Sequence, residues 1–280
     1  MALFHESCKM GKRRSDDRIS PVHGQDTGHH DYDRSHEEIM ASCSTRMLVI
    51  AGTIALTGWG GAESSASAVA ERARQIARGT IPAEVRRVET RQRLVALTFD
   101  DGPDPSVTPQ VLTTLQRFRA QATFFLIGAK VEVEAPLAKR ILREGHEVGN
   151  HTLSHVNLTR LDAERCATEW KSPQEIFQAR LGITPTISRP PGGQTNAAVR
   201  TAANALGMTS VLWSVNPGDC DFLSSEAIVE RVLRDIRAGD IVLLHDTVPA
   251  TANALPRILQ GLRRKGLRSV SVSELLRQGK

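Results

Sequence analysis

Aromatic residues are scarce in this 280-residue chain, at 4% of the sequence, and its single tyrosine is Tyr32, near the N-terminus. The net charge is +5, but the basic residues form no long block, and no long stretch alternates basic with aromatic residues. Nucleic-acid-binding proteins usually show such clustering, so we expect no nucleic-acid partner. A mildly basic surface remains compatible with an anionic polymer such as a cell wall.

Cysteine is also rare, and none of the four cysteines forms a CxxC pair. We therefore do not expect a zinc site built from cysteines. Cys166 and Cys220 are the two that follow residue 90. If the protein is exported to an oxidising compartment, these two residues could form a disulfide, provided that the fold brings them together.

The sequence has no apolar run long enough to span a bilayer comfortably, so we expect no stable membrane insertion. Residues 47–68 instead resemble a secretory signal: Arg46 precedes a short apolar stretch, and a small-residue A-x-A site follows at 66–68. A buried strand or helix is the alternative interpretation. We expect a secreted or cell-wall-associated protein.

The flanking segments carry little pattern. Residues 1–46 are polar and lack any helical or strand period, which predicts a disordered or non-native extension. Translation from Met40 or Met47 would place the signal-like segment at the start of the chain. Residues 69–92 are charged and sparsely apolar, which predicts a linker with one short helix.

From residue 93 to 280, short apolar runs alternate with amphipathic stretches. This alternation predicts one α/β domain with a parallel sheet, either a barrel or a doubly wound sheet. The candidate strands are Val95–Phe99, Ala122–Leu126, Glu147–Gly149, Thr186–Arg189, Thr209–Trp213, Ile241–His245 and Ser269–Val272.

Polar residues recur where these strands end. Asp100 and Asp101 follow the first strand, Arg189 ends the fourth, Asp219 follows the fifth and His245 ends the sixth. Catalytic residues of barrel enzymes collect at the C-terminal ends of strands, so the pattern favours a barrel with an active site at that end.

Two histidines, His151 and His155, form an H-x3-H pair in "NHTLSH". On a helical turn or a tight loop this spacing points both imidazoles in one direction. Two imidazoles and one carboxylate make a metal-ligand set that leaves positions open for water and substrate. The pair is weak alone and stronger beside the carboxylates at 100 and 101, whereas His146 lies outside the pattern and is predicted to be structural.

Five stretches resemble, in order and spacing, the motifs of the polysaccharide deacetylases, the fourth class of carbohydrate esterases. They are "TFDDGP" (98–103), "HTLSH" (151–155), "RPPGG" (189–193), "WSVNPGD" (213–219) and "IVLLHD" (241–246). The resemblance covers about residues 93 to 276. It implies a distorted (β/α) barrel of about seven parallel strands.

The resemblance also implies a metal site and its chemistry. Asp101, His151 and His155 would hold one divalent ion, usually zinc, with cobalt or another ion as alternatives. The ion would lower the pKa of a bound water and polarise the acetyl carbonyl. Asp100 would act as the general base and His245 as the acid that protonates the leaving group.

Further residues have supporting roles in the same family. Arg189 should pair with Asp100, and Asp219 should orient His245. The backbone N–H of Gly192 should help to bind the oxyanion. Trp213 and Leu243 should line the acetyl pocket, although a role for Trp213 in the core alone remains open.

The expected substrate is an acetylated polysaccharide or oligosaccharide, N-acetylated as in peptidoglycan or chitin, and the expected state is a monomer. Alternatives are an acetyl-xylan esterase, a small-amide hydrolase and a non-catalytic carbohydrate-binding module. Three departures from the family pattern concern the substrate groove: Gly192 and Cys220 replace usual aromatics, and Asn216 replaces a common Asp.

Overall fold

The computed structural model describes residues 59 to 279, in which helices and strands alternate. The strands are β1 Glu84–Val85, β2 Leu94–Asp100, β3 Thr123–Leu126, β4 Glu147–Asn150, β5 Ile187–Ser188, β6 Thr209–Val211, β7 Ile241–His245 and β8 Arg268–Val270. The helices are α1 Trp59–Ala77, α2 Thr108–Phe118, α3 Gly128–Val133, α4 Ala135–Arg143, α5 Ala163–Leu181, α6 Ala197–Ala205, α7 Ser225–Asp235, α8 Pro249–Arg264 and α9 Val272–Arg277. Short 3-10 turns occur at Leu158–Arg160 and Pro191–Gly193.

The sheet is parallel throughout, in the order β1-β6-β5-β4-β3-β2-β7, with β8 beside the first half of β2. The segment after β6 closes it, because Val215 forms a parallel bridge with Val242 of β7. The predicted (β/α) barrel is confirmed. Each of the seven predicted strands overlaps one of β2 to β8, and β1 is an additional short strand.

Strand β2 lies between β3 and β7 in the barrel, and all seven of its residues are buried. Its sequence, LVALTFD, is almost continuously apolar, as expected for a parallel strand covered on both faces. Capping residues mark the ends of the helices that surround the barrel, as α5 illustrates. Asp162 caps α5 by accepting a hydrogen bond from Arg165 N, and Gly182 ends that helix in the left-handed conformation.

Residues 69–92 differ from the predicted linker. Val85 pairs with Val211 in the sheet, and Val88 N donates to Gly239 O over 2.9 Å. Arg72 Nε donates to Gly207 O over 2.7 Å. The few apolar residues of this segment follow no period, yet Ile76, Val85 and Val88 are each buried against the barrel. The domain therefore begins before residue 93.

The N-terminal predictions lie largely outside the described residues: the extension at 1–46 does so entirely, and the signal-like segment at 47–68 does so up to residue 58. Helix α1 begins at Trp59 and continues through the small-residue site at 66–68. Among residues 59–279, no helix combines the length and apolarity that crossing a bilayer requires.

The possible disulfide between Cys166 and Cys220 does not form. Cys166 is a free thiol that lies buried in a cluster with Leu158, Trp170 and Val199. Burial raises the pKa of this thiol, so it behaves as a small apolar core residue. The side chain belongs to the apolar cluster shared by α5 and α6, a placement that sequence spacing could not reveal.

Candidate active site

The candidate site lies at the C-terminal rim of the barrel, where β2, β4 and β7 end. Asp100 is the last residue of β2 and pairs in register with His245, the last residue of β7. His151 follows directly after Asn150, which ends β4. Residues that are distant in sequence meet here because parallel strands end at one edge.

Three ligand atoms converge at this rim. Asp101 Oδ1 lies 3.3 Å from His151 Nε2 and 3.0 Å from His155 Nε2. An octahedral or tetrahedral ion with ligands at about 2.0–2.1 Å separates neighbouring ligand atoms by about 2.8–3.4 Å. The observed spacings therefore fit a divalent cation.

The hydrogen bonds of these residues support the same conclusion. His151 Nδ1 lies 2.7 Å from Arg189 O, and a carbonyl can only accept, so Nδ1 carries the proton. In neutral His151 this leaves a lone pair on Nε2, facing Asp101. Asp101 Oδ1 is buried and has no hydrogen-bond partner within the described part of the chain. A carboxylate oxygen and an imidazole lone pair this close repel each other, and a cation bound between them would remove that repulsion.

Burial alone would raise the pKa of Asp101, but its contacts with His151 and His155 hold the pKa well below the usual value. The carboxylate is thus ionised, as a metal ligand must be. A second cluster of possible ligand residues, Asp219, Cys220 and His245, also occurs at the rim. Both oxygens of Asp219 already accept hydrogen bonds there, which distinguishes it from Asp101.

The backbone is strained at the same place. Asp101, Thr152 and His155 have φ angles of 74°, 68° and 62°, in the left-handed region that costs side-chain-bearing residues about 1–3 kcal/mol. Only two other non-glycine residues between 59 and 279, Arg119 and Phe222, have positive φ. Strain of this kind persists where the surrounding structure imposes it, and here it directs ligand side chains to one point.

The neighbouring carboxylate, Asp100, has a different partner. Arg189 Nη1 donates to Asp100 Oδ1 over 2.6 Å, while Asp100 Oδ2 lies 3.8 Å from His151 Nε2. Adjacent carboxylates thus occupy separate environments: Asp100 is paired with a guanidinium, and Asp101 faces two imidazoles. One oxygen of Asp100 remains directed toward the metal-ligand cluster.

All three guanidinium nitrogens of Arg189 donate hydrogen bonds, and the side chain is fully buried. Its remaining N–H groups donate to Thr98 Oγ1 and to the carbonyls of Val211 and Leu212. The guanidinium lies 4.1 Å from the centroid of the Phe125 ring. Burial lowers the pKa of Arg189, and the contact with Asp100 opposes that change.

His245 forms a dyad with Asp219. His245 Nδ1 lies 2.9 Å from Asp219 Oδ1, and the His245 backbone N–H donates to Oδ2 over 2.8 Å. Thr251 Oγ1 also donates to that oxygen over 2.6 Å. Burial would lower the pKa of His245, but the Asp219 carboxylate outweighs it and raises the pKa to about 10. The imidazole is therefore protonated at neutral pH.

The turn after Arg189 and the segment after β6 form the adjoining wall. Gly192 is exposed with φ 60°, and its N–H donates to no group among the residues described, whereas Gly193 N donates to Pro190 O. A Cβ on Gly193 would lie 2.5 Å from the Trp213 ring, so this glycine allows the ring to approach. Leu243 of β7 is buried.

Comparison with known proteins matches both the sequence and the fold of this chain to one family. The family model for polysaccharide deacetylase matches residues 87–211. A peptidoglycan-N-acetylglucosamine deacetylase of Bacillus cereus is 42% identical over 195 residues, which cover 68% of this chain and 91% of that protein. The chain belongs to the polysaccharide deacetylase family. It is a hydrolase of this family, as its ordered motifs predict.

Two further relatives extend the comparison. A chitooligosaccharide deacetylase of Sinorhizobium fredii is 38% identical over 188 residues, covering 61% of this chain and 86% of that protein. The crystal structure of the Bc1960 peptidoglycan N-acetylglucosamine deacetylase superposes with a TM-score of 0.68 at 32% identity, covering 71% of this chain and 95% of that chain. Some curated relatives are longer, and the chain spans 40% of their length.

The structure places every sequence-predicted metal, base and acid residue at one rim, and it adds residues that no motif signalled. Thr98 holds Arg189, and Thr251 holds Asp219. Glu169 of α5 accepts from the backbone N–H groups of Leu153 and Ser154, in the loop between the two histidines. These residues lie on helices and strand interiors, where their types are common, so sequence alone offered no sign of them.

His146 is structural, as its position outside the motifs predicted. Its Nδ1 accepts from Ala122 N over 3.3 Å, and its ring lies 5.5 Å from that of Phe124. Burial lowers its pKa, so the ring remains neutral inside the barrel wall.

Proposed function

We propose that this chain is a metal-dependent deacetylase that removes acetyl groups from N-acetylglucosamine residues of peptidoglycan. The proposal rests on one observation: the two adjacent carboxylates have different partners. Asp101 Oδ1 faces two imidazole nitrogens, while Asp100 is paired with Arg189 beside them. The named activity of the 42% identical B. cereus relative supports peptidoglycan as the substrate.

Asp101, His151 and His155 would hold one divalent ion, with zinc favoured by the two-histidine, one-carboxylate donor set. When bound, such an ion supplies a Lewis acid for the acetyl carbonyl and lowers the pKa of water. Asp100 accepts the proton of the attacking water through the oxygen that Arg189 leaves unpaired. Arg189 fixes the orientation of this carboxylate.

The other residues act on the acetyl group and the leaving amine. The N–H of Gly192 lies in an exposed turn and is available to donate to the oxyanion. His245, protonated because of Asp219, donates its Nε2 proton to the departing sugar nitrogen. Trp213 and Leu243 limit the pocket that receives the methyl group, which favours acetyl over larger acyl groups.

Chitin-like oligomers are the second candidate substrate, favoured by the 38% identity to a chitooligosaccharide deacetylase. Both substrates present an N-acetylglucosamine unit, so the site chemistry is shared. The groove differs from the usual family pattern, because glycine at 192 leaves space beside the site. A Cβ on Gly192 would have Gln194 Nε2 as its nearest neighbour, 3.7 Å away. Export through the signal-like segment at 47–68 would bring the enzyme to either polymer.

The test is acetate release by the purified full chain after metal removal and reloading with Zn²⁺ or Co²⁺. Peptidoglycan, chitooligosaccharides and acetylated xylan form the substrate panel, and Asp100→Asn is the matched inactive control. We expect metal-dependent acetate release, greatest from peptidoglycan. Absence of acetate from all three, with metal bound, would refute the deacetylase mechanism; release from xylan alone would refute the N-acetyl specificity.

A further inference from the structure

The aspartate after His245 lies at the candidate site but has no part in the chemistry described above. Asp246 follows β7 directly, and its side chain is fully buried. Its Oδ1 atom has no hydrogen-bond partner among residues 59–279. A buried carboxylate oxygen without a partner is costly, so its retention calls for a physical explanation.

Asp246 contacts the turn that carries the two catalytic carboxylates. A Cβ on Gly102 would lie 2.3 Å from Asp246 Oδ2 and 2.5 Å from Oδ1. The carboxyl group therefore occupies the space that any side chain at position 102 would need. The glycine of "TFDDGP" is thus required by Asp246, and the two residues fit together as one packed unit.

A chain of hydrogen bonds extends this contact. Thr108 Oγ1, at the start of α2, donates to Asp246 Oδ2 over 2.5 Å and accepts from Asp104 N over 2.8 Å. Asp104 Oδ1 in turn accepts from the N–H groups of Ser106 and Val107. The turn between β2 and α2 is therefore joined, through Thr108, to the end of β7.

The same turn is also held by Lys130, whose Nζ donates to Asp101 O over 2.8 Å. The backbone N–H of Asp246 approaches Asp100 O at 3.4 Å. Asp101 has a left-handed φ of 74°, so its backbone needs external support. Asp246 and Lys130 both supply that support, while neither side chain belongs to the metal-ligand cluster.

We propose that Asp246 is a positioning residue that acts with Thr108 to fix the turn carrying Asp101 relative to His245. This inference rests on the proposed metal-dependent function, because the turn presents a metal ligand and the adjacent strand end presents the acid. Without Asp246, Gly102 gains free space and Thr108 loses its acceptor. The turn can then relax, and Asp101 loses its alignment with the two histidines.

The test compares metal affinity, the visible absorption spectrum of the Co²⁺-loaded protein, and the separate kcat and KM values of full-chain variants. Asp246→Ala should weaken Zn²⁺ and Co²⁺ affinity about tenfold, within the range for residues that support metal ligands. It should also alter the Co²⁺ spectrum and lower kcat much more than it raises KM. Thr108→Val should cause a similar loss, and Thr108→Ser, which keeps the hydroxyl, should restore wild-type behaviour.

Asp240→Ala is the matched control, because Asp240 is a buried carboxylate at the opposite end of β7, where it accepts from Ser214 Oγ and Arg237 N. This control should lose thermal stability but keep its metal affinity within about twofold of wild type, since distant sites that share no partners behave independently. The double variant Asp246→Ala with Thr108→Val should be no weaker than the worse single variant.

The metal affinities of these variants decide between the alternatives. If Asp246→Ala and Asp240→Ala bind metal equally well, or if the losses at 246 and 108 add, the positioning role is overturned. If Asp246→Ala does not fold, the comparison of Thr108→Val with Thr108→Ser still tests the proposal, with equal metal affinity overturning it. If the wild-type protein itself binds no metal, the proposed function fails instead.

Discussion

Arg189 Nη1 donates to Asp100 Oδ1 over 2.6 Å, and this pair is buried together beneath the rim of the barrel. The pair separates Asp100 electrostatically from the adjacent Asp101, whose partners are imidazoles. Two carboxylates at consecutive positions can therefore be accommodated, since Asp100 contacts a guanidinium and Asp101 contacts two imidazoles. The two positions should accordingly respond differently to substitution.

Single substitutions of Asp100 and Asp101 should distinguish the general base from the metal ligand. Asp100→Asn should lower kcat by about 10²–10⁴-fold, the usual contribution of a general base, while metal affinity stays near the wild-type value. Asp101→Asn should instead abolish tight metal binding. Acetate release and metal titration on both variants provide the measurement. Equal metal affinities for the two variants would contradict the assigned roles.

Removing Arg189 should destabilise the fold as well as the site. Arg189→Met leaves Asp100 buried without its charge partner, which should lower the free energy of unfolding by about 3–5 kcal/mol. Arg200→Met is the control, because Arg200 forms only a partly exposed pair with Glu84 at 3.9 Å. Its change should stay below about 1 kcal/mol. Denaturant unfolding of both variants measures the difference, and similar losses would argue against a structural role of the buried pair.

The pH dependence should report the His245–Asp219 dyad. The acid must be protonated, and Asp219 raises the pKa of His245 to about 10, so the alkaline fall in kcat should occur well above neutral pH. A cation beside Asp101 opposes this effect in part. Asp219→Asn removes the main cause of the raised pKa, so its alkaline limb should move toward neutral pH. An unshifted limb in this variant would exclude His245 as the titrating acid.

The His245–Asp219 dyad should also stabilise the folded protein, and this contribution should be lost at alkaline pH. The folded-state pKa of His245 lies above its ordinary value of 6.5, so protonation favours the folded state. The contribution of the pair is complete below pH 6.5 and disappears as pH rises through about 10. Thermal unfolding of metal-free protein across this range should show the loss, and Asp219→Asn should show a flatter profile.

The loop that carries the histidines should depend on Glu169. Its Oε2 atom accepts from Leu153 N and Ser154 N at 3.0 Å each, and Oε1 accepts from Ser154 Oγ at 2.6 Å. Glu169→Ala should weaken metal affinity about tenfold by loosening this loop. Glu175→Ala, on the exposed side of the same helix, should leave it unchanged. Equal metal affinities of the two variants would show that the loop keeps its conformation without Glu169.

The sequence by itself determined the order of elements and the chemistry of the site residues. Alternating apolar and amphipathic stretches specify strands and helices locally, and the motifs carry their own residue types and spacing. The resemblance of these motifs to the polysaccharide deacetylases then implied roles for Asp101, the two histidines and His245 before any contact was known. The alternation left a barrel and a doubly wound sheet open, and the polar residues at the strand ends favoured the barrel.

Tertiary structure alone decided the partners of those residues. Thr108 and Asp246 are 138 positions apart, and no local pattern links a threonine at a helix start to an aspartate after a strand. The same holds for Cys166, which packs in an apolar cluster as a free thiol, and for Val85 and Val88, which join the barrel from a segment with no apolar period. Such contacts depend on packing between distant elements, and that packing has no signature in spacing along the chain.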